Sequence, residues 1–178
     1  FLHEKTAFNP SKLQSLLGTG DVVVKPVISA SAWNTWRCSL GEFSDKDYER
    51  LRDLPDEGSI MVQEFMPEIA TEGEWSVIFF GERFSHAVRK YPAAEDFRVQ
   101  EELGGRYSLV ANPPADLIRQ AEAVLAIIKE PLLYARVDGI VRSGKFFVIE
   151  LELLEPALFF DVCPDAAERF CGRVTELL

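Results

Sequence analysis

The most constraining feature of the sequence is a pair of β-type runs, Tyr134 to Val141 and Phe146 to Leu153, on either side of a short polar connection. Side chains alternate along a strand, so Glu150 and Glu152 share one face while Ile149, Leu151 and Leu153 share the other. Two like charges on one face repel, and one tends to hold its proton unless a cation lies between them. Loop length decides whether Asp138 joins them. A two-residue turn at Ser143-Gly144 sets Asp138 opposite Ile149, whereas a three-residue loop Ser143-Gly144-Lys145 sets it opposite Glu150 and gathers Asp138, Glu150 and Glu152 into one patch. Gly144 suits the longer loop, because three-residue hairpins commonly need a left-handed residue. Oxygen ligands without His or Cys favour Mg2+ or Mn2+ over zinc. A solvated acidic sheet face is the competing reading of the same spacing.

The rest of the chain reads as mixed helix and strand, an α+β pattern. Helices are expected after Asn9-Pro10-Ser11, from Ser44 to about Leu54 before Pro55, over Ala115 to Lys129, and from Asp165 to Leu178. Strands are expected at Asp21 to Pro26, at Ser59 to Phe65, and on both sides of Gly81 within Ser76 to Val88. Pro67 to Trp75 carries three acids and Gly73 and reads as a solvated connection, dividing the chain into lobes 1–66 and 67–178. Arg98 to Arg106, with Gly104-Gly105, reads as a mobile loop.

Composition narrows the function. With 29 acidic against 19 basic residues and a net charge of -10, the surface repels nucleic-acid phosphates and anionic membranes. Cys38, Cys163 and Cys171 lie in no metal-binding spacing, and no apolar run reaches about 18 residues, which points to a soluble protein of the cytoplasm. The chain opens on Phe1 with the character of mid-chain material, so an N-terminal portion of the natural protein is expected to be missing. Trp33, Trp36 and Trp75 read as packing residues, His86 as structural, and Cys38 as no nucleophile for want of a nearby His. P-loop and dinucleotide fingerprints are absent.

In order along the chain, Val22-Val23-Val24-Lys25-Pro26, Gln63-Glu64-Phe65-Met66-Pro67, Gly73-Glu74, Asp96-Phe97-Arg98-Val99-Gln100 with Gly104-Gly105, Val137-Asp138, and Glu150-Leu151-Glu152 with Pro156 resemble the ATP-grasp superfamily, in particular bacterial glutathione synthetase-like and ribosomal-protein-modifying ligases. The resemblance spans about residues 20 to 160. It implies two α/β lobes with largely antiparallel sheets enclosing a nucleotide, and an ATP- and Mg2+-dependent ligation of a small-molecule or peptide carboxylate to an amine through an acyl phosphate. It further implies that Lys25 contacts the α/β-phosphates, that Gln63, Glu64, Phe65 and Met66 hold adenine, that Glu74 holds ribose, and that Arg89, Lys90 and Arg98 lie near the transferred phosphate. By the same resemblance, Asp138, Glu150 and Glu152 hold Mg2+ or Mn2+.

The sequence departs from the family pattern at three places. Glu152 stands where Asn is common, Ser29-Ala30-Ser31-Ala32 replaces a glycine-rich lid with small residues that permit close backbone approach, Ser31 being counted with the nucleotide-binding residues, and Ser76 replaces an arginine. Alternatives are a non-catalytic nucleotide-binding relative and a phosphotransferase of the same superfamily. A metal-dependent nuclease is disfavoured, since it needs Lys at position 152 and a basic groove. A homodimer is allowed, and neither the acid nor the amine is named by the residues.

Overall fold

The computed structural model describes residues 2–4, 7–29, 31–54, 59–94 and 96–177, so the expectations at Phe1, Lys5, Ala30, Pro55 and Leu178 lie outside the described residues. The chain divides into two compact units, Phe1–Met66 and Pro67–Leu178.

The first unit is a four-stranded antiparallel sheet in the order β1-β4-β2-β3, formed by β1 (Leu2–Glu4), β2 (Asp21–Pro26), β3 (Trp36–Ser39) and β4 (Ser59–Glu64). Helix α1 (Pro10–Leu17) is started by Asn9, whose side chain accepts a hydrogen bond from the Lys12 amide at 3.0 Å. Helix α2 (Asp45–Asp53) is started by a reciprocal capping box between Ser44 and Asp47. Leu13 of α1 and Leu51 of α2 bury against Val22, Val24, Ile60 and Val62, and burial of such side chains is worth about 1.5–3 kcal/mol each. Trp36 joins this core, whereas Trp33 is half exposed, a correction to its packing role; it sits in a turn where Ser31, Ala32 and Asn34 all take left-handed backbone.

The second unit is a five-stranded antiparallel sheet in the order β7-β6-β5-β8-β9, from β5 (Glu74–Phe80), β6 (Arg83–Tyr91), β7 (Arg106–Leu109), β8 (Tyr134–Arg142) and β9 (Lys145–Glu152). It also contains the short helix α3 (Glu68–Thr71), then α4 (Ala115–Leu125) and α5 (Asp165–Leu177). Leu117, Ala121 and Leu125 of α4 cover one face of the sheet, against Trp75, Val77, Ala135 and Val137. On the other face, Ile78, Phe80 and Val88 pack against Phe159, Cys163 and Ala166, leaving the rest of that face to charged residues. Helix α4 ends earlier than Lys129, because the Ile127 and Ile128 amides bond three residues back to Val124 and Leu125 and tighten its last turn.

Two expectations for this unit change. The acidic stretch from Pro67 to Trp75 is not a solvated connection. Glu68 is paired with Arg142 and Glu74 with Lys90, so both acids are neutralised, and Gly73, Glu74 and Trp75 are buried. The stretch from Arg98 to Arg106 holds a 3-10 turn at Glu101–Leu103 and feeds strand β7. No helix among the described residues is long and apolar enough to cross a membrane.

The β8–β9 hairpin corrects the loop argument while keeping its result. The turn has two residues, Ser143 and Gly144, both with positive φ (52° and 75°), the signature of a type I′ hairpin. Continued without interruption, that register would oppose Asp138 to Ile149. Instead the register shifts between Asp138 and Gly139: Gly139 pairs with Val148, Asp138 with Glu150, and Ile149 is the extra residue of a β-bulge. The bulge brings the strands so close that a Cβ at Gly139 would overlap the Phe147 carbonyl oxygen and lie 2.7 Å from the Phe146 ring. Gly139→Ala is therefore expected to lower the unfolding free energy by about 1–3 kcal/mol in urea titrations, and an unchanged midpoint would contradict this account of the bulge.

Candidate metal centre

The bulge places Asp138 of β8 and Glu150 and Glu152 of β9 on one face of the sheet, where one oxygen from each lies within 4.8 Å of the others. Asp138 is 1% exposed, Glu152 is half-buried and Glu150 is exposed. A carboxylate buried alone would be costly, so its partners decide its state. The Lys90 ammonium of β6 lies 2.9 Å from Asp138 Oδ2 and also pairs with Glu74. The Arg136 Nε lies 3.0 Å from both Asp138 oxygens, and Nη2 lies 2.9 Å from Oδ2 and also bonds Glu152. Period-two alternation aligns these groups: Glu74 opposes Lys90 across β5 and β6, and Ser76 opposes Asp138 across β5 and β8.

The electrostatics follow from burial and neighbours. Burial pushes the Asp138 carboxyl up, but Lys90 and Arg136 outweigh it and hold the pKa below the ordinary value. Burial likewise opposes the Lys90 charge, yet Asp138 and Glu74 together keep its pKa raised. For Glu74 and Glu152 burial dominates, and both carboxyls are pushed up. When all are ionised, Glu74, Asp138, Glu150 and Glu152 outnumber Lys90 and Arg136 by two negative charges. An all-oxygen donor set with that excess fits a hard divalent cation such as Mg2+ or Mn2+.

The other expected site residues fall in different places. Arg89, one residue from Lys90, points to the opposite face, where its guanidinium stacks 3.8 Å over Trp75 and bonds the Glu72 carbonyl, so it does not join the carboxylates. Glu74, expected at ribose, is 7% exposed and held by Lys90. In the first unit, Lys25 is half-buried near the end of β2, opposite Met61, and Ser31 is exposed in its turn. Gln63 and Glu64 end β4, and Met66 is half-buried. Phe65 is buried, with the Arg37 guanidinium 3.7 Å over its ring. His86 is buried and structural, its Nε2 bonding the Leu158 carbonyl at 2.9 Å. Burial pushes the Cys38 thiol up to about 12, which disfavours its thiolate form.

The residue that sequence reasoning missed is Arg136. The signal was present: it precedes Asp138 by two positions, so strand alternation puts it on the same face.

Arg98 forms a second, separate ion pair. Its Nε and Nη2 lie 3.1 and 2.8 Å from the Asp96 carboxylate, which also accepts the Phe97 and Arg98 amides. Chiefly because of the Arg98 side chain, Asp96 is held down to about 2. The folded value lies below the unfolded one, so the pair's stabilisation is present above about pH 4 and is lost as the pH falls towards 2. A carboxyl NMR titration should give Asp96 a midpoint near 2, and Arg98→Ala should raise it towards the ordinary ~3.9; an unmoved midpoint would contradict the assignment.

No protein-family model matches the chain. It is 28% identical over 172 residues to the cycloserine biosynthesis protein DcsG of Streptomyces lavendulae, covering 89% of this chain and 55% of that protein. Among solved structures, D-cycloserine synthetase DcsG superposes with a TM-score of 0.81 at 22% identity, covering 99% of this chain and 63% of the other. The D-alanine–D-alanine ligase of Bacillus anthracis gives 0.69 at 20% identity, covering 99% and 60%. The ATP-grasp ligase PsnB, in complex with a precursor variant, Mg and ADP, gives 0.61 at 18% identity, covering 92% and 50%. The chain thus spans rather more than half the length of the curated relative it matches. The chain shares its fold with these ligases, the ATP-grasp ligase PsnB among them.

Proposed function

We propose that the chain is the nucleotide- and metal-binding part of an ATP-dependent carboxylate–amine ligase that releases ADP. The observation that carries this reading is the convergence of Asp138, Glu150 and Glu152 beside Lys90 and Arg136, within a fold shared with ligases. The similarity to a cycloserine biosynthesis protein and a D-alanine–D-alanine ligase points to a small amino-acid-like carboxylate and an amine as the substrate class.

In the proposed reaction, an oxygen of the substrate carboxylate attacks the γ-phosphorus of ATP and ADP leaves. The amine then attacks the acyl carbon, inorganic phosphate departs, and one proton leaves the nitrogen. No protein nucleophile is needed, so the side chains act by positioning and neutralising charge. In a chain of charge -10 the nucleotide cannot rely on the global field, and local cations must supply the attraction. Asp138, Glu150 and Glu152 would hold Mg2+, which when bound neutralises phosphate charge. Lys90 keeps Asp138 ionised for that purpose. Lys25 is assigned to the α/β-phosphates, Ser31 to the loop beside them, Gln63 to Met66 to adenine, and Arg98 to the transferred phosphate. A ribose contact by Glu74 requires that its carboxylate leave Lys90.

Calorimetric titration of ATP, with and without Mg2+, tests this. The parent is expected to bind more tightly with Mg2+. Lys25→Ala is expected to weaken binding about tenfold or more, and Glu150→Ala to remove the Mg2+-dependent gain. Equal binding of Mg-ATP by both variants and the parent would overturn the site assignment.

A further inference from the structure

Arg136 is unusual in what it holds at once. Its Nε donates to both oxygens of Asp138 at 3.0 Å, its Nη2 to Asp138 and to Glu152, and its Nη1 to the Ala157 carbonyl at 3.2 Å. It is 7% exposed, and Glu152 stands directly opposite it in the strand register. Two of the three candidate metal ligands are therefore already engaged by one guanidinium.

Resting on the function proposed above, we infer that Arg136 is a built-in counter-ion of the metal-free protein. It competes with a divalent cation for Glu152 and Asp138, and gives up at least its Glu152 bond when the cation is held.

Donor accounting supports this competition. Asp138 Oδ2 already receives Lys90 Nζ and Arg136 Nη2 at 2.9 Å and Arg136 Nε at 3.0 Å, so its lone pairs are spoken for. Glu152 Oε1 gives one lone pair to Nη2. A hard cation needs those lone pairs, and a positive guanidinium beside it adds repulsion. The side chain at position 152 sets the strength of the effect. An ionised carboxylate makes a charge-assisted bond to Arg136 that a neutral amide could not match, so Glu152 strengthens both the cation site and its internal rival. Arg136 has somewhere to stay after release, since its bonds to Asp138 and the Ala157 carbonyl do not depend on Glu152.

The test measures Mn2+ binding without nucleotide, by loss of the free-ion EPR signal, in the parent and in Arg136→Gln. The variant is expected to bind Mn2+ about tenfold more tightly or better, because a competitor and a like charge are gone. A folded variant that binds no more tightly than the parent overturns the inference and makes Arg136 a plain positioning residue. If the variant does not fold, the parent decides by NMR of the Arg136 Nε–H. Saturating Mg2+ should shift this signal and speed its exchange with solvent, and an unaltered signal overturns the inference. A parent that binds Mn2+ neither with nor without ATP overturns the metal reading itself, whereas binding indifferent to Arg136 overturns the competition alone.

Discussion

The second unit is organised around one buried carboxylate. Asp138 is 1% exposed in the middle of a sheet, and an unpaired charge there would cost several kcal/mol. The structure supplies Lys90 from β6 and Arg136 from β8, so three strands must be in register for the charge to be tolerated. The same demand extends to Glu74, which shares Lys90, and to Glu152, which shares Arg136. Loss of Lys90 leaves Glu74 without its cation while Asp138 keeps Arg136, so the members are coupled through the cations they share.

The sheet provides for this by treating its two faces differently. One is apolar and covered by α4, which secures the strands by ordinary burial. The other is apolar only where Phe159, Cys163 and Ala166 lie on it, and the remainder is free for charge. Strand β5 is buried along its whole length and runs between Lys90 of β6 and Asp138 of β8, which therefore stand two strand spacings apart. The bulge at Ile149 then corrects the face of Glu150 and Glu152, which the type I′ turn alone would turn away from Asp138.

Much of this was legible in the sequence. Alternation in Glu150-Leu151-Glu152 told which side chains share a face, and capping residues at Asn9 and Ser44 marked helix starts. The grouping with Asp138 was reached through a three-residue loop that does not exist. Bulges are set by backbone approach at Gly139 and leave no periodic signal, so the loop count was the wrong argument for the observed grouping. The burial of Glu74 was illegible for a related reason. Its partner Lys90 is near only through pairing of β5 with β6, and an acid-rich stretch reads as solvated until its cations are located. Arg89 and Lys90 are adjacent in sequence, yet neighbours on a strand face opposite ways, so only Lys90 reaches the carboxylates. Strand β3 and the left-handed turn before it had no clear pattern to announce them.

The central claim is that three carboxylates on β8 and β9 form the cation site of a nucleotide-using enzyme. Anomalous diffraction from crystals of the protein grown with Mn2+ and a non-hydrolysable ATP analogue tests it most directly. The account predicts a manganese peak within coordinating distance of Asp138, Glu150 and Glu152, with phosphate oxygens on its open side. An ordered nucleotide whose manganese lies away from these residues, or no peak beside them at saturating Mn2+, would contradict it.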